Sequence, residues 1–243
     1  MRVKIFGTGC LAAKDFSTCF SIDDYILIDC PNGLMKKLRQ SDYDFGGLGV
    51  VIISHFHGDH DWDMPFLLRE FIRGKKREKP LTLIAPAGVM DRYRTLFAMA
   101  LPEDDFSPIY ENAKLEVIEI SPEVTREPLE INWYSIKIFK VLHGATESYG
   151  VQIKKSGETV GFTCDSVMCD GVRGILDGAD LAFVDVTMPA AGKVHMGLGD
   201  LEILKAEFDK CRIFPVHMMD QTREVLKEHG HEIPNDGDEF EVK

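Results

Sequence analysis

The chain has no run of 18 apolar residues, so no membrane-spanning helix is expected. It has no CxxC pair among its six cysteines, Cys10, Cys19, Cys30, Cys164, Cys169 and Cys211. Reduced thiols, buried as small apolar side chains, are the expectation. A metal ligand at Cys10 or Cys19 is the sharper alternative. The opening MRVKIFGTG has too short an apolar run for a signal peptide, which makes the cytoplasm the expected location. Positive charge is scarce. Lys and Arg number 28 against 40 Asp and Glu, a net charge of −12. That balance argues against a general nucleic-acid binder, which releases phosphate counterions through a basic surface. No low-complexity linker and no repeat of fixed period breaks the sequence. One domain over residues 1–243 is therefore expected, long enough to bury a core without staples. With 44% apolar and 28% charged residues, disorder is excluded.

What is present reads as strands first. Val3–Phe6, Cys19–Ile22 and Tyr25–Ile28 are β-prone, and Asp23-Asp24 suits a two-residue hairpin turn. Leu34–Leu38 has short-helix spacing. Gly49–Ile53 is continuously apolar, as in a strand buried on both faces. Met64–Arg73 and Pro86–Ala100 read as helices around a strand at Leu81–Ala85. Strands follow at Leu115–Ile120 and Trp133–Leu142. Tyr149–Lys154 and Thr159–Thr163 flank Ser156-Gly157 as a hairpin. Leu181–Val186 and Ile213–Val216 read as strands, and Asp200–Lys210 as a helix with Asp200 as N-cap. Thr222–Glu228 is a helix stopped by Gly230. The order predicts an α/β fold of two sheets packed face to face, with helices outside.

Of eight histidines, three fall in His55-x-His57-x-Asp59-His60. A buried strand feeds straight into this cluster, and ligand sites lie beyond the carboxyl ends of strands. Alternate spacing lets His55 and His57 point the same way from extended backbone, and Gly58 permits a tight turn. Imidazole with carboxylate suits zinc, iron or manganese. A His-rich surface turn and a single-metal site are the competing readings. Three distant residues favour a larger site: His143, Asp165 and His217 each stand at a strand end. Other candidates are weaker. Gly7-x-Gly9-x-x-Ala12 with Asp29 mimics a dinucleotide fingerprint but lacks the helix that motif needs. His229-x-His231 and Lys75-Lys76-Arg77 read as solvated.

The hexapeptide with its three later partners resembles the metallo-β-lactamase superfamily. GTG after the first strand, IDCPNG after the third, and Ile233-Pro234 with Asp236-Gly237 extend the likeness over nearly the whole chain. The resemblance implies a four-layer αββα sandwich with a binuclear centre between the sheets. One divalent ion would be held by His55, His57 and His143, the other by Asp59, His60 and His217, with Asp165 bridging. Zn2+ is expected, with Mn2+ or Fe2+ as alternatives. With a bridging hydroxide such a site carries a net charge of about +1, which attracts an anionic group. Asp59 can also take a proton from the attacking water. In the ribonuclease Z-like branch, a His in the interval of His195 faces the scissile phosphate and protonates the leaving oxygen or stabilises charge there. Here His195 is followed by Met-Gly instead of Ser or Thr, and a solvent-exposed loop histidine is the alternative.

The implied activity is a metal-dependent hydrolase acting on a small phosphodiester through the metal-bridging hydroxide. A thioester or lactone hydrolase of the same fold and a non-catalytic metal- or ligand-binding protein are the alternatives. Redox di-iron relatives replace the second His of the hexapeptide with Glu, whereas His57 is present. The expected partner is a small anionic substrate, not a long nucleic acid. Only 22 positions separate His143 from Asp165, and a hairpin fills them, leaving no room for the arm with which tRNA-cleaving relatives grip their substrate. No membrane partner is expected, and a homodimer stays open.

Overall fold

The computed structural model describes residues 1–74 and 77–242. β1 (Arg2–Gly7), β2 (Cys19–Ile22) and β3 (Ile26–Ile28) form an antiparallel meander. Asp23 and Asp24 are both left-handed, at φ 51° and 53°, the primed turn that matches strand twist. The chain then alternates: α1 (Leu34–Gln40), β4 (Val50–Ile52), α2 (Gly58–Asp61), α3 (Met64–Arg73), β5 (Thr82–Pro86), α4 (Val89–Ala100), α5 (Ile109–Asn112) and β6 (Glu116–Ile120). β3, β4, β5 and β6 pair in parallel. The second sheet begins with β7 (Leu129–Ile131), β8 (Tyr134–His143), β9 (Thr146–Lys155) and β10 (Glu158–Phe162). It continues through α6 (Asp170–Leu176), β11 (Leu181–Asp185), α7 (Leu198–Glu207), β12 (Arg212–Val216) and α8 (Asp220–Glu228). β13 (Glu239–Glu241) returns to pair with β1.

The strand orders are β13-β1-β2-β3-β4-β5-β6 and β12-β11-β10-β9-β8-β7. Alternation along β4 shows why its sequence is apolar throughout. Val50 and Ile52 face the second sheet, packing with residues such as Ile138, Phe162 and Phe183. Val51 and Ile53 face the helices, among Leu34, Leu67 and Phe71. A third cluster joins α6, α7 and α8 to the back of the second sheet through Ile175, Leu201 and Leu226. Helices, sheet, sheet, helices: this is the four-layer sandwich expected. No helix among the described residues is long and apolar enough to cross a membrane.

Several local expectations need correction. The helix after Pro86 starts at Val89, because Pro86 pairs in β5 and Gly88, at φ 83°, precedes the first turn. α7 starts at Leu198, not Asp200. Asp200 is its third residue, and its carboxylate accepts the Gly197 N–H at 3.0 Å. Arg77 is not solvated: it donates to the carbonyls of Phe45 and Leu48 and lies over the Phe71 ring. Its neighbours Lys75 and Lys76 lie outside the described residues. His231 is also largely covered, with Lys205 Nζ 3.3 Å from its Nδ1, whereas His229 is exposed as expected. The segment after Gly9 forms no helix, which disposes of the dinucleotide fingerprint.

Candidate metal centre

All seven residues expected as metal ligands converge at one end of the two sheets. His55 lies three residues beyond β4, His57 precedes the first residue of α2, and Asp59 and His60 sit within α2. His143 is the last residue of β8, Asp165 follows β10, and His217 directly follows β12. His55, His57, His143 and Asp165 offer donor atoms within 4.8 Å of one another, and so do Asp59, His60 and His217. Asp165 divides its oxygens between the groups. Its Oδ2 lies 3.7 Å from both His55 Nε2 and His143 Nε2, and its Oδ1 lies 3.4 Å from His60 Nε2 and 3.5 Å from His217 Nε2. His217 Nε2 is also 3.4 Å from Asp59 Oδ2.

Hydrogen bonds on the far side of each ring fix which nitrogen faces inward. His60 Nδ1 donates to Asp29 Oδ2 at 2.7 Å. Ser54 donates to both oxygens of the same Asp29, so its Oγ accepts from His55 Nδ1 at 3.0 Å. His143 Nδ1 donates to the Val194 carbonyl at 2.9 Å. Thr187 Oγ1 donates to Asp185 at 2.6 Å and accepts from His217 Nδ1 at 2.8 Å. In each case the Nδ1 proton is held outside and Nε2 is the nitrogen that faces the cluster. His57 is turned the other way. Its Nε2 is 3.3 Å from Thr146 Oγ1, and its Nδ1 lies 3.3 Å from His143 Nε2.

The electrostatics agree with that geometry. Burial, reinforced by the charge of His60, holds His55 well below the ordinary histidine range. Burial and His143 lower His57. His60 goes the opposite way: burial opposes its charge, but Asp165 and Asp29 outweigh it and push its pKa well up. Burial likewise opposes ionisation of Asp59 and Asp165, yet contacts with His217 and His60 keep both carboxyls well below their usual range. The carboxylates thus favour positive charge at the centre.

His195 stands in the loop between β11 and α7, 15% exposed, with its ring centroid 4.9 Å from that of His143 and 5.3 Å from that of His217. Its Nδ1 donates to Asp185 Oδ2 at 2.8 Å. Burial would lower its pKa, but the hydrogen bond and charge of Asp185 outweigh burial and raise it. A third set of donor atoms within 4.8 Å of one another joins His195 to Asp165, Asp185 and His217, and no cysteine belongs to any of the three. Cys19 is buried against the Asp29 carbonyl, and Cys10 lines the adjoining cleft.

The sequence model of the Beta-lactamase superfamily domain matches residues 24–218. The chain belongs to the beta-lactamase superfamily. Among curated relatives in this superfamily, Ribonuclease Z of Agathobacter rectalis is 33% identical over 133 residues, 54% of this chain and 40% of that protein. The chain spans about two fifths of the length of the Ribonuclease Z relatives it matches in this way. The short form of human tRNase Z superposes with a TM-score of 0.79 over all of both chains, at 17% identity. The metallo-β-lactamase fold protein YhfI from Bacillus subtilis gives 0.76 over 98% of each, at 21% identity.

Two residues of this superfamily site escape a ligand search in sequence. Asp29 and Asp185 point carboxylates at the backs of the rings, not at the centre. The signal that found Asp165, an acid just past an apolar strand, is present at Asp29 after β3 and at Asp185 closing β11. Backbone conformation adds another mark. Asp29, Cys164 and His217 are left-handed at φ 62°, 51° and 60°, strain of the kind that collects at functional sites.

Proposed function

We propose that the chain is a metal-dependent hydrolase acting on a small phosphodiester. The observation that carries this reading is the set of inward lone pairs around a shared carboxylate. His55 Nε2 and Asp165 Oδ1 are buried without a hydrogen-bond partner. An unpaired buried polar atom costs about 1–3 kcal/mol, and a cation among these donors removes that cost. The donor chemistry fits divalent zinc, manganese or iron. His55, His57 and His143 would hold one ion and Asp59, His60 and His217 a second, with Asp165 shared between them. Two divalent cations, when bound, supply Lewis acidity toward a phosphoryl oxygen and acidify water.

The chain's own groups do the rest. Asp59, kept ionised by His217 and His60, accepts a hydrogen bond from the attacking water and orients it. His195 is held by Asp185 at Nδ1, which leaves its Nε2–H to donate to the leaving oxygen as the phosphorus–oxygen bond breaks. The hydrogen bond and charge of Asp185 raise its pKa, which favours the protonated ring. The names of the relatives, Ribonuclease Z and tRNase Z, support phosphoester chemistry over a thioester or lactone. The short β9–β10 hairpin between His143 and Asp165 and the charge of −12 support a small substrate over a folded RNA.

The test is turnover by the full chain, reconstituted with zinc or manganese, of a simple phosphodiester beside a lactone and a thioester. The expected result is a preference of at least about tenfold for the diester. Preference for a carbonyl substrate, or steeply salt-dependent cleavage of precursor tRNA at comparable efficiency, contradicts the reading.

A further inference from the structure

The cleft over the donor cluster has a volume of about 420 Å³. One wall is aliphatic. Leu11 and Ala12 come from the loop after β1, Met188 and Val194 from the loop after β11, and Met219 from the start of α8. Leu11 is 74% exposed and Met188 38% exposed, so both present apolar surface to whatever enters. The wall is held from behind by backbone hydrogen bonds. Cys10 N–H donates to the Met218 carbonyl at 3.3 Å, and Met219 N–H to the Thr187 carbonyl at 3.1 Å.

Among the described residues lining this cleft, none is Lys or Arg. The nearby cations are engaged or outside it. Lys14 lies 3.5 Å from Asp220, and Lys193 is exposed beside the lining. The first turn of α8 already carries Asp220, which cancels the anion-attracting end of that helix. The donor cluster, with His195 beside it, is the part of the cleft that carries groups suited to a phosphate. A second phosphate would face aliphatic side chains in a protein of net charge −12.

Resting on the phosphodiesterase reading, we propose that the site selects diesters whose scissile phosphate is their sole anionic group and whose larger substituent is uncharged, packed on Leu11, Met188, Val194 and Met219. Hydrolysis of such a diester adds water across the P–O bond, giving a monoester and an alcohol. The bulky apolar substituent provides the binding contact.

The experiment compares two substrates with the same leaving group, thymidine 5′-(p-nitrophenyl phosphate) and the same compound bearing a 3′-phosphate, on the metal-reconstituted full chain. We expect kcat/KM to favour the first by about tenfold or more. Leu11→Ala should lower kcat/KM for the first by about three- to tenfold, mainly through KM, since it removes contact and no chemistry. Met188→Lys should narrow the preference by raising kcat/KM for the bisphosphate. Equal or reversed preference in the wild-type chain overturns the specificity while leaving the phosphodiesterase reading intact. Failure to hydrolyse either compound with two metals bound overturns both.

Discussion

Asp29, just past β3 of the first sheet, and Asp185, the last residue of β11 in the second, reach toward the same cluster from opposite layers. Asp29 spends its oxygens on Ser54 and His60 and so orients only candidate ligands. Asp185 divides its role. One oxygen takes Thr187, which positions His217, and the other takes Ser166 N–H and His195. One carboxylate thus supports candidate ligands alone, while the other couples a candidate ligand to the candidate acid. The difference suggests where the two functions can be separated by mutation.

The largest separable effect should come from His195→Ala. The ring is not needed to complete either three-residue donor set, so metal content should stay unchanged while kcat falls by about 10²–10⁴-fold. The loss should shrink with a better leaving group, which needs no proton. Metal analysis beside kcat for a poor and a good leaving group checks this. Metal loss in the variant would instead make His195 a ligand.

Next come the two orienting acids. Asp29→Asn should weaken metal affinity by about 10–100-fold, the usual cost of losing such a partner, and leave the pH profile of the loaded enzyme in place. Asp185→Asn should also shift the alkaline limb of kcat. A general acid works only while protonated, so activity falls as pH rises through its pKa. Asp185 raises that pKa, and its replacement should move the limb to lower pH. Chelator competition and pH–kcat profiles on both variants separate the two roles. An unmoved limb in Asp185→Asn contradicts the coupling.

The candidate ligands were legible in sequence and the groups behind them were not, for a physical reason. His55, His57, Asp59 and His60 are close in sequence because one turn presents them, and His143, Asp165 and His217 are marked by strand ends. Asp29 and Asp185 share that mark, but only folding shows their oxygens behind the rings. Likewise the continuous apolar run of β4 announced burial on both faces, whereas three-residue β13 owes its pairing to β1 at the other end of the chain, and three-residue β7 is held only by its hairpin neighbour β8. The true start of α7 was hidden because an Asp N-cap and an Asp at the third helical position each satisfy an orphan N–H.

A third carboxylate, Asp23, sits before β3 as Asp29 sits after it, and its role is structural. It accepts from Arg2 N–H at 2.8 Å, from Tyr134 Oη at 2.8 Å and from Lys155 Nζ at 2.6 Å, tying the first sheet to the second. Burial opposes its ionisation, but these donors outweigh burial and lower its pKa. Its contribution to stability is therefore present above the unfolded carboxyl pKa and is lost as pH falls through the lowered folded value. Asp23→Asn should cost on the order of 1 kcal/mol near neutrality, with less difference from wild type in acid, and should spare kcat. Denaturant melts at two pH values test it.

The central claim is that the converging lone pairs exist to hold two cations that make the site reactive. Titrating zinc into the metal-free full chain, while following hydrolysis of a p-nitrophenyl phosphodiester, tests it most directly. The account predicts activity that is absent without metal and saturates at two equivalents per chain. Metal-independent hydrolysis, or two tightly bound equivalents with no turnover, would contradict it.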